Sequence, residues 1–225
     1  MSDQLTRIRA LIGTDKIKKL QNATVMVFGC GAVGSFATEA LARSGIGNII
    51  LVDFDTVEES NINRQLFATH STLKRAKIDA ARERIADINS DIHVTTFNMF
   101  FDSESAPPAQ PDFVIDAIDT VPSKVAIYRW CTTNKIPFIS SMGAARKTDP
   151  TKIKVDKISK TYACPLAATI RRAVRNERLP NFPVVFSTEQ PTPHKSTDKN
   201  FGSIITVTGT FGLYMANYVI KKLTE

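Results

Sequence analysis

A glycine-rich turn near the N-terminus is the feature that most constrains the fold. The apolar run Thr24–Phe28 leads into the sequence GCGAVG at 29–34, and a segment of helical composition, Ala32–Arg43, follows. A GxGxxG turn between a strand and a helix is typical of nucleotide-binding βαβ units. Glycine allows the tight turn, the close approach of a phosphate and the packing of helix on strand. The turn therefore predicts a parallel sheet with an anion site at the N-terminus of that helix.

An acidic residue follows at the spacing that this fingerprint requires. Asp53 ends the second apolar run, Asn48–Asp53, and lies nineteen residues after Gly34. An acid in that position usually binds the ribose hydroxyls of a nucleotide. Strand, turn, helix and acid together favour a nucleotide site, whereas a glycine turn alone would also suit a turn without a ligand. The predicted contacts in the turn are Gly29, Gly31, Ala32 and Gly34.

The alternation of strands and helices continues to about residue 141. Predicted helices at Ile78–Ile88 and Ser123–Asn134 alternate with strands at Ile92–Thr96, Phe113–Asp116 and Pro137–Ser140. Continuous apolar strands between helices indicate an α/β fold, a Rossmann-like, doubly wound and mostly parallel sheet with helices on both faces. We expect one domain, with an N-terminal helix at 5–20, a nucleotide-binding core at 23–141 and substrate-facing and C-terminal elements at 142–225.

Composition places the chain among the globular proteins of a reducing compartment. Hydrophobic residues make up 43% and charged residues 23%, which excludes wholesale disorder. Cys30, Cys131 and Cys164 are too scattered for a disulfide framework or a paired CxxC zinc site. The polar N-terminal segment lacks the apolar core of a signal peptide. We therefore expect a cytoplasmic protein.

Two segments near the C-terminus have opposite character. Ser187–Gly202 is polar and contains prolines, which predicts a mobile loop. Ser203–Ile220 is largely apolar but is interrupted by threonines and glycines. That pattern favours a helix packed on the sheet or in a dimer interface over a membrane span.

Three further groups favour a nucleoside triphosphate over the dinucleotide that this fingerprint usually binds. The polar segment Ser60–Gln65 carries Arg64, and Lys77 lies near the start of the next predicted helix. Asp119 follows a predicted strand, at the sheet edge where ligands bind. A triphosphate that is being cleaved needs fixed cations, and an aspartate beside phosphates most readily binds Mg²⁺. Taken singly, each cation would also fit a solvated charged surface.

Four motifs resemble the ThiF/MoeB adenylating enzymes, which are relatives of the ubiquitin-activating enzymes. The motifs are GCGAVGS, LVDFDTVEESNINRQ, AKIDAARERI and VIDAIDT, and the resemblance spans residues 7–141. It implies that Asp53 binds ribose and that Arg64 and Lys77 act on the phosphates of ATP. It also implies that Asp119 organises Mg²⁺ near the α-phosphate. The further nucleotide contacts are Asp55, Ser60, Asn61, Asn63 and Thr120.

The same resemblance implies a homodimer. In this family an arginine from the neighbouring subunit completes the active site. Arg7 matches the spacing of that arginine to the glycine turn. We therefore expect Arg7 to act across a twofold interface.

The second half of the chain resembles one group within the family, the tRNA threonylcarbamoyladenosine dehydratases. The matching stretches include DPTKI at 149–153, VFSTE at 185–189 and TGTFG at 208–212. This group adenylates the carboxylate of a modified adenosine in tRNA and closes it to a ring with loss of water. The resemblance therefore implies ATP, Mg²⁺ and tRNA carrying threonylcarbamoyladenosine, and it leaves a sulfur-relay protein open as a further partner.

Basic side chains favour an RNA partner independently of the resemblance. The chain has 29 basic and 22 acidic residues, and arginines recur on the predicted helix Pro165–Arg178. Such a cluster can follow an RNA phosphate backbone, although a solvated basic helix shows the same pattern. The predicted tRNA contacts are Lys157, Lys160, Arg171, Arg172, Arg175 and Arg178.

Two other functions are compatible with the sequence. A ThiF/MoeB-type enzyme would adenylate the C-terminal glycine of a ubiquitin-like sulfur-carrier protein, and it would present an apolar cradle for the carrier. A nucleotide-binding scaffold without catalysis would keep the glycine turn but would not need Arg64, Lys77 and Asp119 together. No segment carries an evident transthiolation cysteine, and ring closure within the substrate requires no enzyme nucleophile.

Overall fold

Seven strands form one sheet in the residues that the computed structural model describes, 4–105, 109–193 and 201–225. They are β1 (Thr24–Phe28), β2 (Asn48–Val52), β3 (His93–Phe97), β4 (Phe113–Asp116), β5 (Phe138–Ser141), β6 (Ile153–Lys157) and β7 (Pro183–Ser187). The strand order is β3-β2-β1-β4-β5-β7-β6, and only the β6–β7 pair is antiparallel. The predicted Rossmann-like, mostly parallel sheet is confirmed.

Helices cover both faces of this sheet. They are α1 (Thr6–Ile12), α2 (Thr14–Asn22), α3 (Gly34–Arg43), α4 (Lys77–Ile88), α5 (Val121–Thr133), α6 (Pro165–Asn176) and α7 (Ile205–Thr224). Alternate residues of β1 point to opposite faces, so Val25 and Val27 enter one buried cluster and Met26 and Phe28 another. The first cluster includes α2, α3, α4 and α7, and the second includes α5 and α6.

The C-terminal helix α7 packs closely against α3. At Gly212 a Cβ atom would lie 2.3 Å from the backbone oxygen of Val33, and at Gly209 it would lie 3.2 Å from the ring of Phe36. Such close backbone contact at Gly212 is open only to glycine. The segment Ser203–Ile220 thus packs on the domain, and no described helix is long and apolar enough to span a bilayer.

The structure corrects three expectations. The predicted helix at 5–20 is two helices, because Gly13 between α1 and α2 has a φ of +89°. The predicted helix Pro165–Arg178 ends at Asn176, because Arg178 has a φ of +56°, which a helix does not continue through. Strand β7, which is buried between β5 and β6, has no counterpart among the predicted elements. The middle of the predicted mobile loop, residues 194–200, lies outside the described residues.

Candidate active site

The carboxyl ends of the parallel strands lie along one edge of the sheet, where most predicted site residues are found. The glycine turn leaves β1 at this edge, Asp53 leaves β2, and Asp119 follows β4. Strands β2 and β3 are added on one side of β1, and β4 and β5 are added on its other side. Such a switch point opens a crevice in which doubly wound sheets bind their ligands.

The glycines of the turn have separate structural roles. Gly29 has a φ of +91°, and a Cβ there would lie 3.0 Å from the backbone oxygen of Ala117. A Cβ on Gly34 would lie only 1.7 Å from the backbone oxygen of Gly29. Gly31 faces open space, with Gln65 Nε2 the nearest neighbour at 3.9 Å. Gly29 and Gly34 therefore fix the turn itself, and room for a ligand remains beside Gly31.

Asp53 joins the turn to the second strand. Its Oδ2 accepts a hydrogen bond of 2.6 Å from the backbone N–H of Cys30, and its Oδ1 accepts one of 2.8 Å from that of Asp55. Burial raises the pKa of Asp53, and these two N–H groups and the charge of Lys77 oppose that shift. The carboxyl group is thus held at a fixed place beside the glycine turn.

The asparagine-rich segment closes over the open side of the turn. A short 3-10 helix, Glu59–Asn61, begins it, and the Asn61 side chain accepts a hydrogen bond of 3.2 Å from the backbone N–H of Glu58. The backbone N–H of Leu66 donates to Ser35 Oγ at 3.1 Å, which attaches the segment to the first turn of α3. The segment is therefore positioned by the same helix N-terminus that the glycine turn opens.

Arg64 lies within this segment and is partly exposed. Its Nη1 donates to the backbone oxygen of Ser60 at 2.7 Å and to Asn63 Oδ1 at 2.8 Å. Nε and Nη2 have no hydrogen-bond acceptor among the described residues. The guanidinium is therefore oriented by its own segment while part of its donor capacity is left for an anion.

Lys77 is a buried cation at the start of α4. Its side chain is 8% exposed, and Nζ lies 2.7 Å from Asp55 Oδ2. Burial and the charge of Asp53 raise the pKa of the Cys30 thiol, and the charge of Lys77 lowers it. Asp55 donates its backbone N–H to Asp53, whose carboxyl group also accepts from Cys30 of the turn, so these contacts connect the ammonium to the glycine turn. The structure therefore brings Asp53, Asp55 and Lys77 together around the turn.

Asp119 and Thr120 are exposed at the end of β4, and Thr120 Oγ1 lies 3.4 Å from Asp119 Oδ1. Two residues earlier, Ala117 contacts the turn at Gly29. Asp119 is therefore close to the turn along the chain while its carboxylate faces solvent.

A fully buried charge network lies beneath the segment between β4 and Asp119, and no sequence pattern predicted it. Lys124 of α5 and Asp116 of β4 form an ion pair of 2.8 Å with both side chains completely buried. Lys124 Nζ also donates to the backbone oxygen of Ile118 at 2.8 Å, and Ser140 Oγ donates to Asp116 at 2.6 Å. The network therefore fixes the backbone that leads directly to Asp119. Its only sequence signal is a lysine within a predicted helix, which normally indicates a solvated side chain.

Two exposed aromatic rings were also missed. Phe54 follows Asp53, and Phe100 lies beyond β3. Their ring centroids are 5.1 Å apart and both rings are about half exposed. They form an exposed apolar surface that begins directly after Asp53 in the chain.

Arg7 lies at the opposite edge of the sheet from the glycine turn. Two residues before it, Leu5 packs against Gly45, which precedes β2, and Leu5 shares a cleft with Asn48 and His93, the first residues of β2 and β3. A five-residue strand spans about 16 Å. The structure therefore does not bring Arg7 to the glycine turn of its own chain.

The predicted RNA contacts lie on β6, α6 and the segments next to them, and they differ in their surroundings. Arg172 and Arg175 are exposed and have no hydrogen-bond or ion-pair partner among the described residues. Arg171 is partly buried and donates to the backbone oxygen of Thr161 at 2.8 Å and to its Oγ1 at 2.5 Å. Lys160 lies 3.6 Å from Asp156. Arg171 therefore supports the fold locally. The exposed cations without a side-chain partner among the described residues are Lys157, Arg172, Arg175 and Arg178.

A second buried lysine, which no sequence pattern predicted, connects the segments around β5, α6 and β7. Lys147 is 2% exposed, and its Nζ donates to the backbone oxygens of Ala163, Ser187 and Glu189 at 3.0, 3.1 and 2.5 Å. Burial lowers the pKa of Lys147. The ammonium joins the segment after β5, the loop before α6 and the end of β7.

The whole described fold matches a family model. The model, described as the ThiF family, matches residues 3–225. The chain belongs to the ThiF family. The resemblance inferred from the glycine turn and the asparagine-rich segment is therefore confirmed.

Relatives of this ThiF-family protein are similar over most of its length. The tRNA threonylcarbamoyladenosine dehydratase of Bacillus subtilis is 45% identical over 85% of this chain and 77% of the relative. The crystal structure of Escherichia coli tRNA N6-threonylcarbamoyladenosine dehydratase, TcdA, in complex with AMP has a TM-score of 0.91 and 36% identity, covering 96% of this chain and 91% of that one. The same enzyme in complex with ATP has a TM-score of 0.90 and 35% identity, covering 98% and 93%.

The similarity to molybdopterin-synthase adenylyltransferases covers less of the chain. A molybdopterin-synthase adenylyltransferase of Salmonella typhimurium is 33% identical over 64% of this chain and 59% of the relative. The resemblance of the second half to the dehydratase group is therefore confirmed as well.

Proposed function

We propose that this ThiF-family protein is an ATP-dependent tRNA threonylcarbamoyladenosine dehydratase. The observation that carries the proposal is the convergence of the glycine turn, Asp53, buried Lys77 and Asp119 at one sheet edge. This arrangement occurs in a chain that is similar over most of its length to dehydratases with that name and to one solved with ATP.

The reaction has two steps. A carboxylate oxygen of the modified adenosine attacks the α-phosphorus of ATP, and pyrophosphate leaves. A nucleophile within the same nucleoside then attacks the acyl carbon, and AMP leaves with the carboxylate oxygen. The nucleoside therefore loses one water in total, and the nucleophile of each step comes from the substrate. The protein has to position the reactants and neutralise charge.

Each half of the nucleotide is held by different residues. Asp53 accepts hydrogen bonds from the ribose, and the exposed Phe54–Phe100 pair provides an apolar surface for the base. The backbone N–H groups of Gly31 and Ala32, in the turn that leads into α3, bind phosphate oxygens. Arg64 and Lys77 stabilise the charge that develops at the α-phosphate, with Lys77 exchanging Asp55 for a phosphate oxygen. Ser60, Asn61, Asn63 and Thr120 complete the site.

A magnesium ion fits this arrangement. No group of three or more acidic, histidine or cysteine side chains in the described ranges could hold a metal alone. Mg²⁺ is usually bound by one or two carboxylates together with nucleotide phosphates and water. Asp119 is an exposed carboxylate without a competing cation among the described residues, and it would be the protein ligand. The ion would neutralise phosphate charge and assist departure of pyrophosphate.

The active form is a homodimer in which Arg7 completes the partner's site. The distance of Arg7 from its own glycine turn supports this, and a twofold dimer supplies the residue twice. Mixing Arg7→Ala with Asp119→Ala tests the arrangement. Random exchange makes half of the dimers mixed, each with one intact site, so activity should recover to about a quarter of wild type. Confirmed heterodimers without activity would place Arg7 in its own chain's site or outside catalysis.

Within one domain, residues 23–141 bind ATP and residues 142–225 face tRNA, with Arg172 and Arg175 as the main phosphate contacts. Lys157, Lys160 and Arg178 add further positive charges to this surface. Lys157 also lies on the edge strand β6, where lysines prevent unwanted strand pairing. A tRNA substrate implies that the enzyme acts in the cytoplasm.

Pyrophosphate release distinguishes the dehydratase from its rival. The partial similarity to molybdopterin-synthase adenylyltransferases favours adenylation of a sulfur carrier's C-terminal glycine as the second candidate. We expect release to be stimulated by tRNA carrying threonylcarbamoyladenosine and not by a ubiquitin-like carrier. Stimulation by the carrier alone would replace the proposal with its rival, and stimulation by neither would indicate a binding scaffold. Adding a sulfur-relay protein to the tRNA reaction tests for that further partner.

A further inference from the structure

A second cleft lies at the same edge of the sheet, beyond the candidate nucleotide site. It has a volume of about 340 Å³, and its lining includes Arg146, Thr148, Thr192 and Ser203. These residues come from the segments that follow β5 and β7 and from the approach to α7. Because β5 neighbours β4, the cleft lies on the side of the β4 end away from the glycine turn.

Arg146 is held in an unusual backbone conformation at the wall of this cleft. Its φ of +62° lies in the left-handed region, which residues other than glycine adopt at an energetic cost. Its backbone N–H donates to the oxygen of Gly202 at 2.8 Å, and its backbone oxygen accepts from the N–H of Thr192 at 2.8 Å. Both sides of the cleft therefore hold this residue in place.

The guanidinium of Arg146 is positioned but not neutralised. Its Nε donates to the backbone oxygen of Thr192 at 2.7 Å, and its central carbon lies 5.9 Å from the ring centroid of Phe201. Both Nη atoms lack an acceptor, and no carboxylate forms an ion pair with them, within the described ranges. The nearby Glu189 carboxylate already accepts hydrogen bonds from the backbone N–H groups of Thr148 and Asp149. The cleft therefore presents two fixed, unused donors with a positive charge.

The cleft adjoins the segment that carries Arg64. Asn63 Nδ2 donates to the backbone oxygen of Ser203 at 3.4 Å, and Asn63 Oδ1 accepts from Arg64 Nη1 at 2.8 Å. One side chain thus connects the cleft wall to a proposed phosphate-binding arginine. A group bound in the cleft would lie next to the phosphates of the nucleotide.

We infer that this cleft is the acceptor pocket and that Arg146 binds an oxyanion of the RNA acceptor there. The oxyanion is the carboxylate of the modified nucleoside or a phosphate beside it, since a planar guanidinium fork suits both. This inference rests on the proposed function. With ATP over the glycine turn, the acceptor must approach the α-phosphate from the opposite side, which is the side of the cleft.

The substitution Arg146→Gly tests the inference without straining the fold, because glycine adopts a φ of +62° freely. We expect the KM for modified tRNA in pyrophosphate release to rise about ten- to a hundredfold, as for loss of a charge-assisted hydrogen bond. The KM for ATP should not rise, and the Tm should not fall. Lys135→Gly is the matched control. Lys135 is an exposed cation with a φ of +57° that precedes β5 at the opposite edge, so this variant should behave as wild type.

Binding of modified and unmodified tRNA then identifies the oxyanion. Equal weakening of both in Arg146→Gly indicates a phosphate, and weakening of the modified tRNA alone indicates the carboxylate. An unchanged KM and unchanged affinity would overturn the inference while wild-type activity upholds the proposed function. Absence of tRNA-dependent pyrophosphate release in the wild type would overturn the proposed function and the inference together.

Discussion

The proposed nucleotide half and the proposed RNA-facing half of the site hold their charges in different ways. Lys77 is buried and ion-paired with Asp55, and Asp53 is fixed by two backbone N–H groups. Arg172 and Arg175 are exposed, with no partner among the described residues. A buried charge acts at one point in a low dielectric, whereas exposed charges act together and are screened by salt. Single substitutions should therefore have large effects in the first half and graded, salt-dependent effects in the second.

The largest expected effect is on stability, beneath the nucleotide half. Lys124→Met leaves the completely buried Asp116 without its partner, and breaking a buried pair costs about 3–5 kcal/mol. Urea unfolding measures the loss. Lys124→Met combined with Asp116→Asn should recover part of it, because no buried charge remains. A loss below about 1 kcal/mol in the single variant would show that the ion pair does little to stabilise the fold.

The next largest effect is on catalysis. Lys77→Met removes the fixed positive charge that we propose acts on the α-phosphate, and loss of one such electrostatic group lowers kcat about a hundred- to a thousandfold. The rate of pyrophosphate release gives the effect, and tRNA affinity should be retained. Lys18→Met, an exposed lysine on α2, is the control and should keep full activity. A small effect of Lys77→Met would leave Arg64 as the main cation of the site.

A pair of glycine substitutions separates the fold of the turn from its ligand. The Cβ of Gly34→Ala would lie 1.7 Å from the backbone oxygen of Gly29, so the turn must move, at a cost of about 1–3 kcal/mol or more. Gly31→Ala meets no atom closer than 3.9 Å and should unfold like wild type. We expect both variants to lose ATP affinity in a titration. Wild-type affinity in Gly31→Ala would mean that phosphate does not approach the backbone at that point.

The smallest and most salt-dependent effect belongs to the RNA-facing half. Arg172→Ala with Arg175→Ala should weaken tRNA binding and reduce the slope of log affinity against log salt by about 0.7 to 0.9 per lost contact. Arg171→Ala should instead lower the Tm, because it removes hydrogen bonds to Thr161. An unchanged slope in the double variant would assign these arginines to an ordinary solvated surface.

The parts of the fold that sequence could predict rest on local patterns. The strands Thr24–Phe28 and Phe113–Asp116 are continuous apolar runs, and the glycine turn joins one of them to its helix at a spacing set by backbone geometry. The Lys124–Asp116 pair and the position of Arg146 could not be predicted from this one sequence. The pair depends on how α5 packs back onto β4, and Arg146 depends on backbone contacts with segments after β7. Each lysine or arginine alone resembles a surface residue.

The TGTFG motif at 208–212 can be recognised in the sequence, but its structural role cannot be predicted from it. It supports the family resemblance, but its physical reason appears only when α7 meets α3. Gly212 then lies against the backbone of Val33, at the start of the helix that the glycine turn opens. A motif in the C-terminal helix thus supports the nucleotide site, which no local pattern indicates.

The central claim is that this protein uses ATP to remove water from a modified adenosine in tRNA, and mass analysis of the nucleosides tests it most directly. Modified tRNA is incubated with ATP, Mg²⁺ and enzyme, then digested, with Asp119→Ala as the inactive control. The account predicts that the wild type lowers the mass of threonylcarbamoyladenosine by one water and forms AMP, and that the Asp119→Ala reaction leaves the mass unchanged. An unchanged nucleoside in the wild-type reaction, with AMP formed only when a ubiquitin-like carrier is added, would contradict it.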